Sequence, residues 1–134
     1  MNASSGSFYL TRPDILLRLE ALLALVAGCV AYQRLYPHHW GVFALLFFVP
    51  DISLLGYLRS ANKGSATFYN VVHCYVLPLV LGLLSWERGS VLGVQLSLIW
   101  TAHISFDRCL GYGFKFPGSF RYTHIQRSAG IDPT

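Results

Sequence analysis

The residues able to do chemistry sit where an apolar segment closes: Trp100-Thr101-Ala102-His103-Ile104-Ser105-Phe106-Asp107-Arg108. On a helix, His103 and Asp107 are four apart and share a face, and Trp100, three before His103, shares it too. Upstream, Asp51 follows Pro50, and Asn70 precedes His73 by three. Two histidines with two or three carboxylates suit a divalent metal such as zinc, iron or manganese, so His73, His103 and Asp107 are candidate ligands. Without a metal, a carboxylate can orient a histidine while a second acid donates a proton, which suits isomerisation or cyclisation. Position makes Asp51, deeper and beside Pro50, the acid. Asp107, shallower and beside Arg108, becomes the orienting or metal-ligating base. The candidate catalytic set is Glu20, Asp51, Tyr57, Asn70, His73, His103, Asp107 and Arg108. Asn70 could equally tie two helices together, and Arg108 could either reach the headgroups or clamp a substrate anion.

These groups need a scaffold, and composition says which kind. Of 134 residues, 54% are hydrophobic and 12% charged, with a mean hydropathy of +0.47. Ordinary globular chains carry about 25% charged residues. The expected fold is all-α, a four-helix transmembrane bundle with short loops. Its parts are a polar N-terminal tail (1–14), a membrane domain (15–113) and an interfacial C-terminal tail (114–134). The spans are expected at about Ile15–Tyr36, Trp40–Leu58, Ala66–Trp86 and Val91–Leu110. Each is close to the roughly 20 residues that cross a bilayer. A soluble bundle is disfavoured, because little polar sequence is left to coat its outside.

Charge sets the orientation. Arg12, Arg18, Arg59, Lys63, Arg108, Lys115, Arg121 and Arg127 fall on one side, Arg34 and Arg88 on the other. The positive-inside rule then puts both termini in the cytoplasm and the chain in the plasma (inner) membrane. At 1.5 Å per residue, Glu20, Asp51, Asn70, His73, His103 and Asp107 all fall in a layer ~5–12 Å below the cytoplasmic boundary. The opposite half reads as nearly pure Leu, Val, Ala, Phe and Gly. Pro50 and Pro78 should disturb their helices at that depth, which is tolerable only where the freed carbonyls line an enclosed site. His38 and His39, in the far loop, read as solvent or headgroup contacts.

Other classes are excluded. The basic residues are scattered, with no run and no nucleic-acid motif. Cys29, Cys74 and Cys109 are odd in number and lack C-x-x-C spacing, so they read as small buried hydrophobes. No G-x-S-x-G, P-loop or dinucleotide glycine pattern occurs. Five histidines are too few for a desaturase-type di-iron oxygenase. The first eleven residues are uncharged and polar, unlike a signal peptide.

Three runs carry a resemblance: Val49-Pro50-Asp51-Ile52-Ser53-Leu54-Leu55-Gly56-Tyr57, Tyr69-Asn70-Val71-Val72-His73, and His103 to Lys115. With Leu19-Glu20 and Thr123-His124, they resemble a family of small, mainly bacterial integral membrane proteins catalogued only as a domain of unknown function. The resemblance spans about Leu17 to Gly130. It implies that Glu20, Asp51, Tyr57, Asn70, His73, His103, Asp107, Arg108 and His124 matter to the family's role, and it implies no activity.

The function expected is therefore a His/Asp site in the cytoplasmic leaflet of a small membrane protein. It would be an enzyme (isomerase, cyclase or metal-dependent) whose lipophilic substrate enters from the bilayer. The cofactor is open, a divalent metal being the candidate. The partners expected are the lipid bilayer and a lipophilic small molecule, with no nucleic acid, and an oligomer is compatible with such a chain. The alternative is a non-catalytic binding or accessory protein whose polar residues only hold the bundle together. An ion path is weakened by the apolar far half.

Overall fold

The computed structural model describes residues 12–60, 62–116, 119–123 and 125, without the side chains of Tyr57 and 119–123. The fold is all-α, four helical passes, apart from one short ribbon at the end of the described chain. The first pass is α1, Pro13–Leu35. Proline suits the first helical position, and Asp14 complements the positive end of the helix dipole. Arg12 pairs with Asp14 at 2.8 Å.

Passes two and three are broken. The second consists of α2 (Trp40–Leu46), a 3-10 turn (Val49–Asp51) and α3 (Ile52–Arg59). The third consists of α4 (Lys63–Val72) and α5 (Val76–Glu87). Each break has a proline behind it. A proline ring clashes with the carbonyl four residues earlier and cannot donate to it. For Pro50 that residue is Leu46, where α2 ends; for Pro78 it is Cys74, inside the gap between α4 and α5. Pro78 then lies in the first turn of α5, where a missing N–H costs nothing. The third pass also starts earlier than hydropathy suggests. Asn62 and Ser65 form a reciprocal capping box that begins α4 at Lys63.

The fourth pass, α6 (Val91–Leu110), starts at Ser90, whose hydroxyl accepts from the Gly93 N–H at 3.2 Å. It stops at Gly111, whose φ of 94° is left-handed. A Cβ there would lie 2.6 Å from the Arg18 guanidinium, so glycine is needed on two counts.

Helix α6 organises the molecule. It packs along α1 on one side and α5 on the other, and touches α2; α3 packs on α4. The α5–α6 contact is close and reciprocal. A Cβ on Gly82 would overlap the Ser97 side chain, and one on Gly93 would lie 2.6 Å from the Ser85 Cβ. Small residues on both faces let the two backbones approach.

The molecule is inside-out by soluble standards. Its buried side chains include Ser53, His73, Ser85, Gln95, Ser97, His103 and Ser105, while Leu23, Leu45, Phe48, Leu83 and Trp86 are exposed. Two runs, Pro13–Leu35 and Lys63–Glu87, are long and apolar enough to cross a membrane; Trp40–Gly56 is apolar but shorter. Helix α6 does not qualify, because its inward face carries polar residues.

The half expected to be purely apolar is corrected by the structure. Ser97 donates to the Pro78 carbonyl at 2.6 Å, Gln95 bonds His39 Nδ1 at 2.5 Å, and the Tyr32 hydroxyl donates to the His39 carbonyl at 2.9 Å. His39 therefore locks the first loop onto α1 and α6, rather than only meeting solvent or headgroups. Sequence depth cannot show this, because Gln95 and His39 meet only after the passes fold together. The three cysteines are free and half-buried, not core residues. Beyond Gly113, β1 (Lys115–Phe116) pairs antiparallel with β2 (Ser119–Thr123), with Lys115 opposite Thr123 and Phe116 opposite Ser119.

Candidate functional site

Four side chains from three passes meet at one point. Asp51 ends the 3-10 turn, His73 caps α4, and His103 and Asp107 lie one turn apart on α6. Both breaks serve the site. The first puts Asp51 in a turn, and the second puts His73 at a helix terminus. From His103 Nε2 the distances are 3.4 Å to Asp51, 3.5 Å to Asp107 and 3.4 Å to His73 Nε2. From His73 Nε2 they are 3.5 Å to Asp107 and 4.0 Å to Asp51. All four atoms lie within 4.8 Å of one another. His103 is 1% and His73 4% exposed.

The tautomer of His73 follows from its partner. Its Nδ1 lies 3.0 Å from the Tyr69 carbonyl, which can only accept, so Nδ1 carries the proton. The bare Nε2 then faces the cluster. The Tyr69 ring stacks on His73, with centroids 3.9 Å apart and planes at 14°, and fixes the imidazole plane. His103 is held edge-on by Phe47, centroids 5.3 Å apart. The Phe47 backbone also hydrogen-bonds to His103, so both imidazoles are oriented from outside the cluster.

Of the remaining predicted residues, Arg108 lines a small cavity with His73 and Asp107, while Asn70 and Glu20 do other work. Asn70 holds the tail: its amide donates to the Lys115 carbonyl at 3.0 Å, and its carbonyl accepts the Lys115 N–H at 2.7 Å. It mimics a strand partner for β1. Arg108 does not pair with Asp107. Its guanidinium lies 4.4 Å over the Tyr75 ring and 5.1 Å from the Phe114 ring, a cation–π arrangement. Glu20 is exposed and shares a small cavity with Arg108 and Tyr75, away from the four-residue cluster. The Tyr57 side chain and His124 lie outside the described residues. The asymmetry expected between the carboxylates is reversed. The Asp51 side chain is 37% exposed and that of Asp107 17%, because the proline turn carries Asp51 toward the rim.

Two residues escaped sequence reasoning. Tyr69, the plate behind His73, is four residues before it, a spacing that could have been read. Lys115 is 4% exposed, with its ammonium 5.5 Å over the Tyr69 ring and 5.6 Å over Tyr112. Burial holds this ammonium below the ordinary lysine range, and Asp107 pulls the other way. Nothing in its sequence context marks it as buried, since contacts distant in sequence, the ribbon and Asn70 among them, bring it in. Trp100 serves the scaffold. Its indole N–H donates 2.8 Å to the Val72 carbonyl, left free by the break after α4.

A family model described as a domain of unknown function, DUF4260, matches residues 14–128. The chain belongs to the DUF4260 family. This is the kind of family that the motif order suggested, and the match takes in every residue of the cluster. Among curated proteins and solved structures nothing matches this DUF4260 chain, so the chemistry has to be read from the cluster itself.

Proposed function

We propose that this DUF4260 chain is an integral membrane protein that binds a divalent metal ion through Asp51, His73, His103 and Asp107 and acts on a lipophilic small molecule. The observation that carries the reading is the spacing of the four donor atoms. Bonds of about 2.0–2.2 Å to a tetrahedral zinc require donors about 3.3–3.5 Å apart. Four of the six separations are 3.4–3.5 Å and a fifth is 4.0 Å. The bare Nε2 of His73 beside two carboxylates is a repulsive set that a cation neutralises. Tyr69 supplies the outer support that metal-bound histidines usually have. A bound metal would contribute Lewis acidity or an activated water. The chain's own part is to hold the polar end of the substrate at the rim formed by Asp51, with Lys115 and Arg108 as cations on the far side. Isomerisation, cyclisation or metal-assisted hydrolysis all fit such a centre.

Membrane insertion is supported by the exposed leucine-rich faces, the buried polar ones and the two spanning-length runs. Charge then favours cytoplasmic termini, with the cluster in the cytoplasmic leaflet.

One observation favours a metal-free second reading. His103 Nε2 can donate to the bare His73 Nε2 at 3.4 Å, leaving a neutral bundle tie and no catalysis. Metal analysis of the purified protein decides. The expected result is about one divalent ion per chain, lost in His73→Ala and in His103→Ala. Asp51→Asn, at the rim, should weaken retention less than Asp107→Asn. A metal-free wild type that stays folded would leave the bundle tie as the answer.

A further inference from the structure

A cavity of about 440 Å³ lies near the cluster, walled by all five segments of passes two and three and by α6. Its floor is Pro50, Ser53 and Ile99, all buried, and its rim is Val49, Ile52 and Phe68, all exposed. Among the described residues no ionisable group lines it. Its two polar side-chain atoms are already spent: Ser53 donates to the Pro50 carbonyl at 2.7 Å, and Trp100 to that of Val72 at 2.8 Å. The walls are therefore almost entirely carbon, which suits a hydrocarbon occupant. The volume is in the range of small-molecule sites, about 300–1,000 Å³.

Its position adds direction. Pro50 is the residue before Asp51, Val72 the residue before His73, and Trp100 shares the His103 face. Consecutive Cα atoms are about 3.8 Å apart, so this end of the cavity is a neighbour of the donor set, although none of the four donors lines it and His73 and Asp107 line a separate small cavity. The other end opens on the leucine-rich exterior through Phe68 and Ile52. Both proline breaks contribute, since unbroken passes would not part here.

We infer that this cavity is the binding site for one hydrocarbon chain of a membrane lipophile whose oxygen-bearing end is presented to Asp51, His73, His103 and Asp107. The inference rests on the metal reading for the direction of the polar end, and on the cavity alone for the chain. The substrate class is thus a single-chain lipid with an oxygen head. A two-chain phospholipid has one chain too many for the cavity.

The test uses full-length protein in vesicles and a long-chain alkyl hydroxamate carrying a diazirine near its methyl end. Light should attach it to Phe68, Leu81 or Leu96, and unlabelled hydroxamate should compete. Leu96→Trp, which fills the cavity, should cut this labelling at least ten-fold while metal content and acetohydroxamate binding stay as in wild type. Leu81→Phe serves as a second, milder filling should Leu96→Trp not fold, with a smaller loss. Labelling spread over Leu23, Leu45 and Leu83 and unchanged by either variant would mean bulk lipid only and overturn the inference. Protection of Phe68 confined to a dimeric fraction would give the cavity to a second copy of the chain and overturn it too. Wall labelling in a protein that holds no metal would support the chain site and sink the metal reading instead.

Discussion

At the level of single residues, the division of labour between Asn70 and His73 is the instructive pair. Both are polar and three apart on α4, yet His73 enters the cluster and Asn70 grips the backbone of Lys115. Removing Asn70 would strand two backbone groups of β1 and cost about 1–3 kcal/mol. Asn70→Ala is therefore expected to raise amide exchange at Lys115 and Phe116 while leaving metal content unchanged. Equal loss of metal would move Asn70 into the cluster's support. The four donors were legible in sequence because charge in an apolar segment needs a partner, and helical rise put them at one depth. Lys115 was not legible, because a lysine after Gly113 is buried by long-range contacts, the ribbon and Asn70 among them, that no periodicity encodes. The aromatic partners of Arg108, Tyr75 and Phe114, were not legible either, because they lie in other parts of the chain.

Among the elements, the two prolines do more than interrupt hydropathy. The four helical passes and their short connections could be read from the apolar runs, of which two have the length and hydropathy of a span. The break positions could be read from Pro50 and Pro78, since each interrupts the helix at its own fourth predecessor. What sequence could not supply was the consequence, a donor delivered at each break and a cavity between them. Pro78→Ala restores the missing N–H and removes the clash at Cys74. It should raise helical content across residues 73–75, swing the His73 ring off its Tyr69 backing and weaken metal binding by about 10–100-fold, the range for disturbed outer support. Circular dichroism with metal titration would check both halves of that expectation. More helix with undiminished metal affinity would mean that the break is not what places His73.

For the whole molecule, orientation is the property to measure. Eight cations on one side against two on the other predict cytoplasmic termini. Reporter fusions after the C-terminus should be active inside, and fusions in the turn at Gly89 active outside. An outward C-terminus would overturn the leaflet assignment and leave the cluster geometry untouched. From helical rise alone the interior divides into a polar half and an apolar half, whereas the folded chain has a polar tie near each end of α6: the donor cluster at one and Gln95 with His39 at the other. The second tie was hidden because glutamine and loop histidine look unremarkable until brought within 2.5 Å.

The paired glycine–serine contacts between α5 and α6 act as two dowels in a joint. One dowel would leave a pivot; two, at Gly82–Ser97 and Gly93–Ser85, fix both slide and rotation. Bilayers differ in thickness by several ångströms, and helices answer by tilting. On the membrane reading, with this joint pinned, the tilt falls to α1 and to the breaks in passes two and three. His73 lies across the α4–α5 break from the joint, and there the Trp100–Val72 hydrogen bond ties the end of α4 to α6 instead.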